Sequence, residues 1–243
     1  MEKDGMSGKN VCPFCGNTEL CELDFTRAKK SGAGCRRFMH CAGRCGGFFV
    51  PARYFLPPEA QKERYLLHDN NLSDPGYRSF LKNFADTAIE RGSALLGRSP
   101  RTIFDYGCGN GALIALLKTY KQTALLPLQT ELRGWDPFFA PDTPFFDGGA
   151  DTVLCLEVAE HFESPHKGFA GLARACKTGG VLALHTLFAP AGVEDFKRWW
   201  YKEDPTHVSF YTQKALRLCA ERAGFIYCGT YNNCSIFRAA FPR

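Results

Sequence analysis

Nowhere in the 243 residues does an apolar run approach the roughly 18 residues that a membrane span requires. The first ten residues, MEKDGMSGKN, are polar, unlike a signal peptide. A soluble, cytoplasmic protein with no membrane partner is therefore expected. The chain also lacks any block of like charge or basic helical stripe, and thirty Lys and Arg against twenty-five Asp and Glu leave a formal charge of only +5. A solvated surface accounts for such a balance more often than nucleic acid does. A local excess at Arg27, Lys29, Lys30, Arg36, Arg37 and Arg44 still leaves RNA open as a partner. An even disulfide framework is missing too. Of the twelve cysteines, Cys12, Cys15, Cys21, Cys35, Cys41 and Cys45 crowd the first fifth, while the others sit singly among apolar residues. The first set reads as metal ligands in a reducing compartment, the second as small buried hydrophobes. With 45% hydrophobic content, the chain can build one domain of ordinary size and a small appendage.

Cys12-Pro13-Phe14-Cys15-Gly16 is a knuckle in which two thiolates can grip one ion, and Cys41-Ala42-Gly43-Arg44-Cys45-Gly46-Gly47 supplies the second pair. Four thiolates satisfy a closed, structural zinc site with no open position for chemistry. Cys21, Cys35 and His40 are substitutes if the register differs. Free buried thiols are the alternative, but a segment so rich in Gly, Lys and Arg has little apolar surface to fold around without a metal. Phe48-Phe49-Val50-Pro51 looks like the strand closing this ribbon, and Pro57-Pro58 breaks the chain before a helical segment from Glu59. Residues 65–71 and the turn Asp74-Pro75-Gly76-Tyr77 read as a lid ahead of the larger domain, with burial or capping the alternative for His68 and the asparagines.

That domain opens with an apolar run, Arg101 to Tyr106, which stops at Gly107-Cys108-Gly109-Asn110-Gly111 and continues as a helix from Ala112 to Lys118. Strand, glycine turn and helix in this order bring backbone close to a ligand at the carboxyl end of a strand. An acid two residues before the first glycine suits a positively charged ligand and would repel a pyrophosphate. Glu131 to Trp135 is a second strand, ending in Asp136-Pro137, where an acid can accept from ribose hydroxyls. Ala150 to Glu157 is a third, running into Val158-Ala159-Glu160-His161-Phe162. Gly179 to Thr186, a helix over Ala215 to Ala223 and a final pair of strands complete an α/β alternation.

These motifs, D-x-G-x-G-x-G at Asp105, G-W-D-P at Gly134, E-V-x-E-H at Glu157 and D-P-x-H-V-x-F-Y-T at Asp204, resemble class I S-adenosylmethionine-dependent methyltransferases. The resemblance is to the group that includes ubiquinone-pathway O-methyltransferases and small-RNA 2′-O-methyltransferases, and it covers residues 65–240. It implies a Rossmann-like sheet with helices on both faces in a methyltransferase domain at 99–243, which follows the zinc-ribbon-like module expected from the cysteines at 1–56 and a helical lid or linker at 57–98. It also implies cofactor contacts from Asp105, Tyr106, Gly107, Cys108, Gly109, Asn110, Gly111, Asp136, Pro137 and Glu157. Only fourteen residues separate Asp136 from Asp151, too few for an intervening helix and strand. The group that faces adenine in those families therefore has no clear counterpart beyond Asp147.

Glu160, His161 and His207 are the candidate catalytic residues. With Glu157 they are similar to a magnesium-binding set that holds two adjacent oxygens of an acceptor, so Glu157, Glu160, His161 and His207 form a possible second divalent site. His207 acting alone as a base, or a structural role for all of them, remains open. Arg198-Trp199-Trp200-Tyr201 places rings where a substrate wall or a packed core would be. The expected activity is methyl transfer to an oxygen of a small phenol, quinol or sugar hydroxyl. The alternatives are an RNA methyltransferase and a cofactor-binding protein without turnover.

Overall fold

The computed structural model describes residues 11–23, 36–67, 71–147 and 149–240. The expectations at Arg27, Lys29, Lys30, Cys35, His68 and Asn70 lie outside them. Six strands form the main sheet, in the order β5-β4-β6-β7-β10-β9. They are β4 (Thr102–Tyr106), β5 (Glu131–Trp135), β6 (Ala150–Leu156), β7 (Cys176–His185), β9 (Phe225–Tyr231) and β10 (Cys234–Ala239). The first four are parallel, and β10 returns antiparallel between β7 and β9. Strand β6, Ala-Asp-Thr-Val-Leu-Cys-Leu, is buried along nearly its whole length, as a central parallel strand covered on both faces must be. Asn232 and Asn233 take left-handed backbone between β9 and β10, the conformation of a two-residue hairpin turn.

One face is covered by α2 (Pro75–Leu96) and α3 (Ala112–Gln122). Helix α2 starts where Asp74 accepts from Tyr77 N–H with Pro75 in the first turn, and stops at Gly97 in the left-handed region. Its Leu81, Phe84, Ala85 and Ala88 recur at helical spacing and pack with Ile103, Leu154, Val181 and Ile236 of the sheet. This packing counts α2 with the sheet's helical layer, although it lies in the stretch expected to be a lid or linker. The shorter α1 (Pro58–Tyr65) stands at the rim of the central cavity through Gln61, Arg64 and Tyr65. On the other face α4 (Pro165–Ala175) and α6 (Gln213–Arg222) bury Phe169, Leu172, Leu216 and Cys219.

The N-terminal module packs on that second face. Its strands β1 (Leu20–Leu23), β2 (Phe38–Cys41) and β3 (Phe48–Phe49) are joined by β8 (Ser209–Phe210) in one four-stranded antiparallel sheet. The ribbon is thus completed by a strand contributed from more than 150 residues downstream. Phe38, Phe48 and Val50 share an aromatic cluster with Phe210 and with Phe196 of α5 (Val193–Arg198). Phe14 lies against Tyr211 and Phe49, with ring centroids 4.9 and 6.2 Å away.

Between β5 and β6 the described residues contain no helix and no strand beyond a single bridge from Asp136 to Ala140. Phe145 and Phe146 instead turn in against Phe104, with centroids 5.6 and 5.8 Å away, and fill the core space a helix would occupy. Strand β5 is left as the sheet edge. Asp147 in this link is 3.8 Å from Arg174 and largely exposed, away from the cavity lining.

Candidate active site

A cavity of about 1000 Å³ opens at the carboxyl ends of β4, β5 and β6, where doubly wound sheets place their ligands. Asp105, Tyr106, Gly107, Cys108, Gly109 and Asn110 line it from the β4–α3 loop, and Asp136 and Pro137 from the end of β5. Gly107 carries a φ of +78°, and a Cβ there would come within 2.6 Å of the Val158 side chain, so the loop requires glycine on two counts. Asp136 knits the loops together: one carboxylate oxygen accepts from Gly109 N–H at 3.0 Å, the other from Phe138 and Phe139 N–H at 2.8 and 3.0 Å. A carboxylate has about four lone-pair sites, so capacity remains for a ribose hydroxyl.

Asp105 is buried, and desolvation, helped by the charge of Asp136, pushes its carboxyl up to about 7. In the unfolded chain the group ionises near its ordinary 3.8. Below that value both states are protonated, and between about 4 and 7 the unfolded state alone ionises, so stability falls as pH rises through this window at roughly 1.4 kcal/mol per unit. The difference in melting temperature between Asp105→Asn and the native, ligand-free protein should therefore widen in favour of the variant from pH 4 to 7 and then level off. Parallel pH profiles would show that burial does not hold the proton on Asp105.

The loop after β6 supplies the opposite wall. Glu157 adopts a left-handed backbone, φ +52°, uncommon for a side chain of its size and a mark of a constrained site. Its carboxylate accepts from His185 Nδ1–H at 2.8 Å and from the Tyr201 hydroxyl at 3.0 Å. A 3₁₀ turn over Ala159–His161 then turns Glu160 inward. Glu160 is fully buried. Its Oε2 accepts from the Thr186 hydroxyl at 2.9 Å, and its Oε1 has no hydrogen-bond partner among the described residues. Burial, reinforced by Glu157, raises its carboxyl well above the usual range. His207 donates from Nδ1 to the Tyr201 carbonyl at 2.8 Å, and His161 from Nδ1 to the Thr206 carbonyl at 3.1 Å. The Nε2 of a neutral His207 is thereby left with a lone pair, and the Nε2 of His161 lies 3.8 Å from Glu160 Oε1. One ligand atom from each of Glu160, His161 and His207 falls within 4.8 Å of the others, and all three residues line the cavity. Glu157, expected as a fourth ligand, stands outside this group because His185 and Tyr201 hold its carboxylate.

The four cysteines meet as the spacing predicts. Cys12, Cys15, Cys41 and Cys45 are buried, with sulfurs 3.5 Å apart for Cys12 and Cys45 and 3.6 Å for Cys15 and Cys41. Thiolates tetrahedral about zinc at 2.3 Å would stand about 3.8 Å apart, whereas a disulfide needs about 2.05 Å. Each knuckle ends in a glycine with positive φ, Gly16 and Gly46, as the turn demands. Of the substitutes, Cys21 is exposed on β1, and His40 stacks on Phe48 at 4.4 Å. Among the basic residues, Arg37 pairs with Glu22, Arg36 turns inward and Arg44 is exposed.

Several site residues carry little sequence signal. His185 could have been suspected from its place at the carboxyl end of β7. Tyr65 packs edge-on against His161 at 5.1 Å and lies tilted against Phe138 at 5.4 Å. Tyr201 is buried and bonded to Glu157, while its neighbour Trp200 is exposed at the cavity mouth.

No curated protein sequence matches the chain. Among solved structures it is similar to a SAM-dependent methyltransferase from Thermotoga maritima (13% identity, 73% of this chain and 99% of that one, TM-score 0.44). It is also similar to an O-methyltransferase family protein from Burkholderia thailandensis (15%, 74% and 62%, 0.48). A third is an O-methyltransferase family 2 protein from Planctomyces limnophilus solved with apigenin (20%, 76% and 62%, 0.47). The family model for the methyltransferase domain matches residues 77–227, more than half of the chain and all of the cavity from Tyr77 to His207. With its glycine loop, paired acids and parallel sheet, this protein belongs to the methyltransferase domain family and is a SAM-dependent methyltransferase.

Proposed function

We propose that the protein methylates an oxygen of a small molecule that presents two adjacent oxygens, with a divalent cation held by Glu160, His161 and His207. The observation that carries this reading is the convergence of those three side chains beside the glycine loop, with a buried Glu160 oxygen that has no hydrogen-bond partner among the described residues and stands 3.8 Å from His161 Nε2. Bound at the loop, the cofactor supplies an electrophilic methyl on a sulfonium, with Asp136 placed for its ribose and Asp105 for its positive charge. A cation on the three ligands would lower the pKa of an acceptor hydroxyl. The protein's own work is to hold both imidazoles as Nδ1–H tautomers through backbone carbonyls and to cover the site with Tyr65.

A lone histidine base is the weaker mechanism. Burial, with the neighbouring His161 adding to it, pulls His207 down to about 3, and an imidazole so weakly basic is a poor proton acceptor near neutral pH. Two imidazoles to one carboxylate also suit Mn²⁺ or another transition ion better than Mg²⁺, which prefers oxygen ligands. With a catechol probe, chelator should abolish turnover and Mn²⁺ restore it more fully than Mg²⁺, while the matching mono-hydroxyl probe reacts at least about tenfold more slowly. Turnover that ignores chelator would refute the cation.

We also infer a structural zinc in the four-cysteine site, about one ion per chain. The double change of Cys12 and Cys41 to Ser should release it and open the two knuckles to proteolysis, because the metal would cross-link them and its binding energy contributes to folding. Elemental analysis of reduced, purified protein checks both points, and native protein without zinc would overturn the assignment.

A further inference from the structure

The geometry points to Arg36 of the N-terminal module as a positioning residue for the methyl-transfer site, acting through the loop that carries His207. This rests on the reading of Glu160, His161 and His207 as the reacting centre.

Arg36 precedes β2 by two residues and Cys41 by five. Its Nη1 donates to the carbonyls of Pro205 and His207 at 2.8 and 3.2 Å, and its Nη2 to those of Lys202 and Asp204 at 2.6 and 3.0 Å. All four acceptors lie on one short loop, and among the described residues no carboxylate forms an ion pair with the guanidinium. The same loop provides the carbonyls of Tyr201 and Thr206, which accept from His207 Nδ1 and His161 Nδ1. Six carbonyls between residues 201 and 207 are thus divided in two: two set the tautomers of the imidazoles, and four are gathered by one planar fork. A loop with so many inward carbonyls needs donors. Only guanidinium spreads enough N–H groups in a rigid plane to serve four at once, whereas an ammonium offers three on a flexible stem. The loop then continues into β8, where Val50 N–H donates to Val208 and β3 pairs with Ser209 and Phe210. Arg36 and β3 therefore tie the four-cysteine module to the site from both sides of His207.

The test compares Arg36→Lys with the native protein and with Arg37→Lys, an exposed neighbour paired to Glu22. Imidazole ¹⁵N signals should show single Nδ1–H tautomers for His161 and His207 in the native protein and in Arg37→Lys, and mixed or exchange-broadened signals in Arg36→Lys. Mn²⁺ affinity should fall about tenfold in Arg36→Lys, the usual consequence of loosening the groups that orient metal ligands. Zinc content should stay at its native value, and affinity for S-adenosylhomocysteine within about twofold of native. If Arg36→Lys does not fold, Arg36→Gln, which keeps a planar two-donor amide, takes its place. Unchanged tautomers, or Mn²⁺ and S-adenosylhomocysteine affinities that fall together, would overturn the proposal. Native protein that binds no Mn²⁺ would refute the cation alone, and the tautomer comparison would still decide the role of Arg36.

Discussion

Glu160→Ala is expected to reduce methyl transfer by on the order of a thousandfold while leaving cofactor affinity within about twofold of native. The magnitude follows from losing the charge stabilisation that the proposed cation would supply, several kcal/mol at 1.36 kcal/mol per decade of rate. Cofactor affinity is spared because Glu160 faces Thr186 and the two histidines, whereas the glycine loop is held by Asp136. Glu160→Gln keeps the volume and the bond from Thr186 but presents a neutral amide, so it should be nearly as inactive and also fail to bind Mn²⁺. His207→Ala should behave alike. Single-turnover rates with a catechol probe, alongside calorimetry with S-adenosylhomocysteine, separate these effects. A Glu160→Gln enzyme with native turnover would remove the carboxylate from the chemistry.

The second large effect concerns the cofactor. Asp136→Ala should weaken S-adenosylhomocysteine binding by at least about a hundredfold, since charged hydrogen bonds are worth roughly 1.5–3 kcal/mol each and the residue also anchors Gly109, Phe138 and Phe139. Two glycine changes distinguish loss of ligand space from loss of fold. A Cβ at Gly109 meets nothing within 4 Å, so Gly109→Ala should fold with a penalty of only about 1–2 kcal/mol for its φ of +52° yet narrow the cavity and weaken binding. Gly107→Val collides with Val158 and should lower the melting temperature as well. NAD should bind to none of these proteins. Tight NAD binding by the native protein, with no binding of S-adenosylhomocysteine, would contradict the cofactor assignment.

What the sequence reveals about this molecule is local. The run from Ile103 through Gly111 to Leu117 reads as strand, turn and helix because periodicity and glycine placement act within one short stretch. The two cysteine knuckles are legible for the same reason, since metal-ligand spacing is a property of a few neighbouring residues. The fourteen-residue gap after Asp136 correctly signals a missing helix and strand, but not that Phe145 and Phe146 fill the space. Features that depend on distant pairing stay hidden. Nothing near Phe48 announces that its partner is Phe210, and nothing near Arg36 announces four carbonyls some 170 residues away. Glu157 looks like a ligand beside Glu160 until the fold brings His185 and Tyr201 to it. A carboxylate's role is set by which donors reach it, and those donors come from β7 and from the turn after α5.

Anomalous diffraction from crystals grown with Mn²⁺ and S-adenosylhomocysteine tests the proposed centre most directly, because it needs no knowledge of the acceptor. The expected result is one manganese peak about 2.0–2.3 Å from Glu160 Oε1, His161 Nε2 and His207 Nε2, with the remaining positions facing the cavity and the sulfur of the cofactor product. A cofactor-filled cavity with no peak at these three residues at millimolar Mn²⁺ would contradict the cation-assisted mechanism.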